Sequence, residues 1–441
     1  MSAKTFVVAM IPEFGGLNAT FPLSATLVRR GHRVIYIGPP PFREYVTSHG
    51  FGFQVFHGPY PKGRFWEFFS TASRLIQKLN HEVEHWLSQT KPDLVLLDPP
   101  FCFLAGPALK LDIPVVNLMP TTLSSATLSA PPVTSGYVPG KKLDPLVHLA
   151  LWAWVAAKGT RRRLTQRSMM RLLTGFDPFS FVARQGGTFR MADIGDRLDV
   201  PELVAAPPEF DYPGVRRRKN RRYLGTCVDE KRRDTVGLES IFQRDRGKRL
   251  AFCSLGTVAV EAARNRKFFG RPSHHGLRFL KAVVDAFRDL PDWQLALRLP
   301  ATVPVSYLGR LPPTVTALPN WPQLQVLEQA DLLITHGGAG SVREAMHFGV
   351  PMLVFPWNND QYGLAARVVF HDLGRNGDLG RATEVDIRNM ISHVSNDVSI
   401  RDAVLEMKNR CRSQSQSTLD AAASFLEGEA LNKLNERESR L

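Results

Sequence analysis

The chain has 441 residues, room for two or three domains at about 150 residues each and long enough to bury substantial cores. Apolar residues make up 44%, charged residues 22% and aromatics 10%, a globular composition that excludes a disordered chain. The formal net charge of +15 points to an anionic partner: nucleic acid, an acidic membrane surface or a phosphorylated substrate. Cys102, Cys227, Cys253 and Cys411 are too scattered for a disulfide framework or a zinc site, which fits a reducing cytoplasm. The opening segment lacks the flanks of a secretory signal. The longest apolar run, Leu146 to Ala157, is too short for a bilayer, which needs about 20 residues.

In chain order, KTFVVAMI, HRVIYIG, FQVFHG, DLVLLD and PVVNLM read as buried strands within the first 120 residues. Helical candidates run from Pro22 to Arg30 and from Arg64 to Gln89, the first stopped by Gly31. This alternation predicts a parallel sheet wound with crossover helices. From Thr121 to Tyr223 the pattern loosens into a Pro-rich stretch, an apolar segment with Trp152 and Trp154, and arginine clusters at 161–163 and 216–222. Alternation resumes with RLAFCSLGT, a helix from His275 to Arg288, WQLALRLP, a short strand near Val315, DLLITH, a helix from Ser341 to Phe348, and MLVFP. The expected organisation is two doubly wound α/β halves, residues 1–225 and 248–441, joined by a linker over 226–247.

The segment from Ala330 to Gln361, ADLLITHGGAGSVREAMHFGVPMLVFPWNNDQ, carries the chemistry. Its strand ends at Thr335, the chain turns through Gly337, Gly338 and Gly340, and a helix starts at Ser341. Glycines at such a turn let backbone N–H groups approach an anion, and the helix start adds about half a positive charge aimed the same way. His336 opens this phosphate cradle, Glu344 follows one helical turn past Ser341, and Asp360-Gln361 ends the next strand–loop unit on the same sheet edge, where ligands of open α/β sheets bind.

This segment closely resembles the signature of the UDP-glycosyltransferase family, family 1 of the GT-B glycosyltransferases, in the spacing from Gln323 through His336, Gly338, Ser341 and Glu344 to Asp360-Gln361. SLGT, from Ser254 to Thr257, and GGLNATFPLSATLVRRGH, from Gly15 to His32, match two further parts of that pattern. The resemblance implies a GT-B fold of two Rossmann-like domains facing a cleft, with an N-terminal acceptor domain and a C-terminal donor domain whose last helices cross back to the first. It further implies that Ser254, Gly256, Thr257, His336, Gly338, Gly340 and Ser341 meet the donor diphosphate, Glu344 the ribose, Gln323 the base, and Asp360 and Gln361 the sugar hydroxyls.

Two positions depart from the family. The aromatic residue expected three positions before Gln323 is Asn320, and Trp321, one residue late, is the candidate to stack on the base. The Gly-His pair that supplies the family's general base falls on Gly15-Gly16, so the catalytic histidine is missing, and His32 reads as structural. The aspartate that orients that histidine matches Asp98. Asp98 or Glu13, at a strand end, is the candidate base, since burial raises a carboxylate's pKa. Alternatively, an already nucleophilic acceptor needs no base.

The arginine clusters lack interleaved aromatics and any nucleic-acid module, which leaves a solvated basic face near the acceptor region. Residues 146–157 read as a core helix or as a helix lying peripherally on the inner, anionic membrane face. The expectation is therefore an inverting transferase without metal or resident cofactor. It moves sugar from a UDP-sugar co-substrate to a lipophilic, acidic or neutral small molecule and binds no nucleic acid. A catalytically weak sugar-nucleotide-binding partner of another transferase, or a GT-B sugar-nucleotide epimerase, are the alternatives.

Overall fold

The computed structural model describes the chain except residues 1, 57–72, 123–125, 141–143, 175–176, 194–196, 217–219, 231, 233–236, 257–273, 302 and 439–441, with the side chains of 73–75, 160–174, 178, 216, 274 and 433–438 also outside the description. It forms two compact units. The first comprises Met1–Pro132, Asp144–Cys227 and Gln414–Leu441, and the second Val133–Leu143 and Val228–Ser413. No helix among the described residues is long and apolar enough to cross a membrane.

The first unit is built on a seven-stranded parallel sheet in the order β3-β2-β1-β4-β5-β8-β9. Its strands are β1 (Thr5–Ala9), β2 (Arg33–Gly38), β3 (Gly52–Val55), β4 (Leu94–Leu97), β5 (Val115–Met119), β8 (Glu202–Val204) and β9 (Arg221–Tyr223), with a small antiparallel pair, β6 (Phe189–Arg190) and β7 (Arg197–Leu198), beside them. Both faces are covered, which is why β1 is apolar at successive positions: Phe6 and Val8 join one core cluster, Val7 and Ala9 the other.

The helix expected from Pro22 begins at Phe14 and runs to Arg29, with Pro22 inside it. Proline and the glycine pair read as stop and start signals, but Leu17, Thr20, Leu23, Ser24 and Leu27 form a buried stripe at helical spacing that overrides them. Thr26 Oγ1 donates to the Pro22 carbonyl at 2.9 Å. The helix Val398–Glu438 brings Leu419, Ala422, Ala423 and Leu426 into the core of this first unit. There Glu427 accepts from Arg30 Nε and Nη2 and lies 2.8 Å from His32 Nε2. Since His32 Nδ1 accepts from the Lys4 N–H, Nε2 carries the proton and donates to Glu427, the structural role expected of His32.

The loosely patterned region contains the helix Pro145–Thr174 and the short strands β8 and β9. His148 Nδ1 and Trp152 Nε1 reach the carbonyls of Leu128 and Ala130, each at 2.8 Å, while Leu146, Leu149 and Trp154 are exposed. The basic cluster is not all a solvated face. Arg221 is buried in β9, bonded to Glu202 at 2.9 Å and Asp211 at 3.2 Å, and Arg197 approaches the other oxygen of Glu202 at 3.2 Å. Burial alone would raise the Glu202 carboxyl, yet Arg197 and Arg221 hold it below its ordinary range.

The second unit carries a six-stranded parallel sheet in the order β12-β11-β10-β13-β14-β15. Its strands are β10 (Arg249–Ser254), β11 (Trp293–Arg298), β12 (Val315–Leu318), β13 (Leu332–Thr335), β14 (Met352–Val354) and β15 (Gly374–Asn376). Residues from Val228 through the segment read as a linker count with this unit.

The fold generates one stability prediction. Removing one partner of a buried ion pair leaves the other charge uncompensated, at a cost of about 3–5 kcal/mol. Arg221→Ala should lower the stability of the first unit by about that amount in a denaturant melt, whereas Arg33→Ala, at an exposed position, should leave the midpoint nearly unchanged.

Candidate nucleotide-sugar site

In the second sheet, strand order reverses between β10 and β13, and Ser254, the last residue of β10, pairs with Thr335, the last of β13. This is the switch point at whose carboxyl edge ligands bind in open α/β sheets. The pairing brings Ser254 and Gly256 beside His336 and Gly338, although they are far apart in the chain. The helix Ala339–Phe348 starts immediately beyond, with Gly338 as its N-cap and no side chain capping it. It begins two residues earlier than expected, so Gly340 and Ser341 lie in its first turn. Its leading N–H groups are the orphan donors every helix start presents.

The glycines make room for an imidazole. A Cβ on Gly256 would lie 2.6 Å from His336 Cε1, and one on Gly338 would lie 2.6 Å from His336 Nε2. Gly256 also has φ +71°, a region that favours glycine. His336 is 8% exposed, and burial pushes its imidazole down to about 4, opposed only in part by a hydrogen bond to the Ser254 backbone. It is therefore a neutral imidazole near pH 7. Beside it, Ser254 Oγ is buried and, among the described residues, has no hydrogen-bond partner. An unpaired buried hydroxyl costs about 1–3 kcal/mol. At this switch point it is suited to an oxygen-rich ligand.

Gln323, the first residue of the Gln323–Gln329 helix, donates from Nε2 to Glu344 Oε2, with Ser341 Oγ 3.4 Å away. Glu344 is buried, and its Oε1 accepts from Arg232 Nη1 at 3.0 Å. Sequence reasoning missed Arg232, which belongs to no motif and reaches the site through the tertiary fold.

Several expected residues are placed differently. Trp321 is 8% exposed, packs edge-to-face with Phe242 and Phe252, and donates its indole N–H to Leu297 O at 2.9 Å. It is a core side chain with little open face for a base. Gln361 Oε1 accepts from the N–H groups of Trp357 and Asn358, so this end of the side chain organises its own loop. Asp360 is the half-buried N-cap residue of the helix Gln361–Phe370. Thr257 lies outside the described residues.

The first sheet repeats the arrangement. Its order reverses between β1 and β4, where Ala9 pairs with Leu97, and Asp98 and Glu13 follow those strand ends. Asp98 is buried, and its Oδ2 accepts from the Ile11 N–H at 3.2 Å, tying the end of β4 to the turn that leads to Gly16. Glu13 is an exposed N-cap, so the burial argument that made it a base does not apply. A Cβ on Gly16 would meet only Ile11 O at 3.7 Å, ordinary contact. An apolar cavity at the ends of β1 and β2 is lined by Met10, Ile37, Phe56, Val83 and Phe101 among others.

Two doubly wound parallel sheets, each with a switch point, are the GT-B architecture. Comparison with known proteins finds glycosyltransferases, bacterial ones among them, similar to this chain in sequence and in fold. Residues 284–422 match the family described as erythromycin biosynthesis protein CIII-like, C-terminal domain. The chain is 26% identical to demethyllactenocin mycarosyltransferase of Streptomyces fradiae, over 95% of this chain and 85% of that one. It is also 26% identical to the NDP-glycosyltransferase YjiC of Bacillus subtilis strain 168, over 92% of this chain and 93% of that one. The crystal structure of the calicheamicin glycosyltransferase CalG4 superposes with a TM-score of 0.69 at 20% identity, covering 97% of this chain and 98% of that one.

The buried imidazole sets a pH dependence. Between its ordinary value of 6.5 and about 4, the unfolded chain protonates this histidine while the folded chain keeps it neutral. The unfolded state then binds more protons, so this residue's contribution erodes stability as pH falls through that window and levels off below it. Melting temperatures of the unsubstituted protein and His336→Gln across pH 7 to 4 should converge toward low pH. Parallel curves would show that His336 does not titrate in this way.

Proposed function

We propose that the second unit binds a nucleoside-diphosphate sugar and that the protein transfers the sugar, with inversion and without a metal ion, to a lipophilic small molecule. The single observation that carries this reading is the buried Ser254 hydroxyl, without a hydrogen-bond partner among the described residues, beside neutral His336 at a helix start whose N-cap is Gly338. Such a set of neutral donors matches a diphosphate. As the acceptor oxygen forms its bond to the anomeric carbon, the bond to the diphosphate breaks and its electron pair stays on the leaving oxygen. Preorganised donors stabilise that growing charge, and each is worth roughly a hundredfold or more in rate. His336 acts in this scheme as an uncharged imidazole, which donates its single N–H to the diphosphate in place of the Ser254 backbone that otherwise takes it. Ser341 and the backbone of Gly338 and Gly340 act beside it, and Glu344 takes the ribose.

On the acceptor side, Gly16 stands where the resembling family has its general base. Asp98 serves as base directly, or an acceptor ionised near neutrality attacks without one. The sequence resemblance favours uridine as the nucleoside, and the NDP-glycosyltransferase relative supports the broader diphosphate class.

The test is incubation of the purified chain with UDP-glucose and other nucleotide sugars against an acceptor panel. Transfer is expected, and His336→Ala should lower turnover about a hundredfold. Chelator should leave the rate unchanged, and a chelator-sensitive rate would overturn the metal-free scheme. Donor binding with neither transfer nor slow donor hydrolysis would favour the binding-partner alternative.

A second prediction concerns the missing base. Since a Cβ on Gly16 would make only ordinary contact, with Ile11 O at 3.7 Å among the described residues, Gly16→His should raise the rate on neutral hydroxyl acceptors by about a hundredfold, the lower end of general base catalysis. It should leave the rate on acidic phenols nearly unchanged, and Asp98→Asn should cancel the gain. A pH–rate profile without a new limb near the histidine range would show that the introduced imidazole does not act as the base.

A further inference from the structure

The carboxylate assigned to the ribose is held from two sides by groups of separate elements. Glu344 is 8% exposed. Its Oε1 accepts from Arg232 at 3.0 Å and its Oε2 from Gln323. Arg232 is itself held in place: its N–H donates to Asp229 O at 3.0 Å, and Glu230 lies 2.7 Å from His347 Nε2, one turn along the same helix from Glu344. Glu230 and Arg232 are thus both tied to that helix, through His347 and Glu344. An ionised carboxylate offers about four acceptor sites over two oxygens. One site on each is taken, which leaves each oxygen able to accept once more, the pattern a vicinal diol requires.

We propose that Arg232 is a positioning residue for nucleotide binding, which fixes Glu344 with one further acceptor site per oxygen directed to the 2′- and 3′-hydroxyls of ribose. This role rests on the donor-site reading above and extends it to a residue outside every motif. The guanidinium supplies charge and geometry: it compensates a buried anion that would otherwise be costly, and its planar fork restricts the carboxylate's orientation. Its contribution therefore passes through Glu344 and through the ribose hydroxyls, without Arg232 touching the nucleotide.

The experiment is calorimetric titration of the full chain with UDP and with 2′,3′-dideoxyuridine diphosphate, by direct or competition binding. The variants are Arg232→Ala, Arg232→Lys, Glu344→Gln and the Ala/Gln double variant. Arg232→Ala should weaken UDP about tenfold, within the coupling range of neighbouring residues, and leave the dideoxy nucleotide nearly unaffected. Arg232→Lys, which keeps the charge, should recover part of the UDP affinity, and the double variant should bind UDP no more weakly than Glu344→Gln alone. Equal losses for both nucleotides, additive losses in the double variant, or unchanged UDP affinity in Arg232→Ala would each overturn the role. If the unsubstituted chain bound neither nucleotide, the donor-site reading would fall and this role with it. Binding that is independent of Arg232 removes only the latter.

Discussion

Ser254 ends β10 opposite Thr335, the last residue of β13, and the arrangement of both glycine turns in the proposed donor site depends on that register. It sets the two glycine-containing turns side by side, and His336 occupies the space that side chains on Gly256 and Gly338 would fill. A buried imidazole kept neutral by desolvation, a serine hydroxyl with no partner among the described residues and a helix start with a glycine N-cap are the result. None carries a full charge. The proposed donor site therefore buries no isolated cation, and fixed neutral dipoles of this kind need no reorganisation when negative charge develops beside them.

Part of the arginine content is internal and paired with buried carboxylates. Arg30 and His32 hold Glu427, Arg197 and Arg221 hold Glu202, Arg221 also holds Asp211, and Arg232 holds Glu344. These arginines hold structure together by neutralising buried carboxylates. Arg30, Arg197, Arg221 and Arg232 cancel against Glu427, Glu202, Asp211 and Glu344, so the net charge of +15 is carried by other residues.

The central strands and the donor loop were legible in the sequence because their signals are local. β1, β2, β4, β5, β10, β11 and β13 are apolar runs bounded by turn residues, and the glycines follow a strand at a fixed spacing. β8 and β9 were not legible. Each has three residues, and Glu202 and Arg221 lie within them, so neither the length nor the polarity reads as a buried strand. β15, with Arg375 and Asn376, failed for the same reason. The start of the helix Phe14–Arg29 was hidden by Pro22 and two glycines, whose local preferences lose to a buried apolar stripe. Trp321 was assigned to the base on spacing alone, yet Phe242, Phe252 and a carbonyl hydrogen bond draw it into the core.

The sequence by itself determined the doubly wound class, the order of the central strands along the chain, the glycine-rich turn and the absence of a histidine at Gly16. Each follows from hydrophobic period, turn chemistry or residue identity within a short window. Only the tertiary structure decided which carboxylate is buried and which exposed between Asp98 and Glu13, and which arginines are internal. It alone brought Arg232 to Glu344. Burial and ion pairing depend on what distant segments bring to the same point, so no local pattern in the chain encodes them.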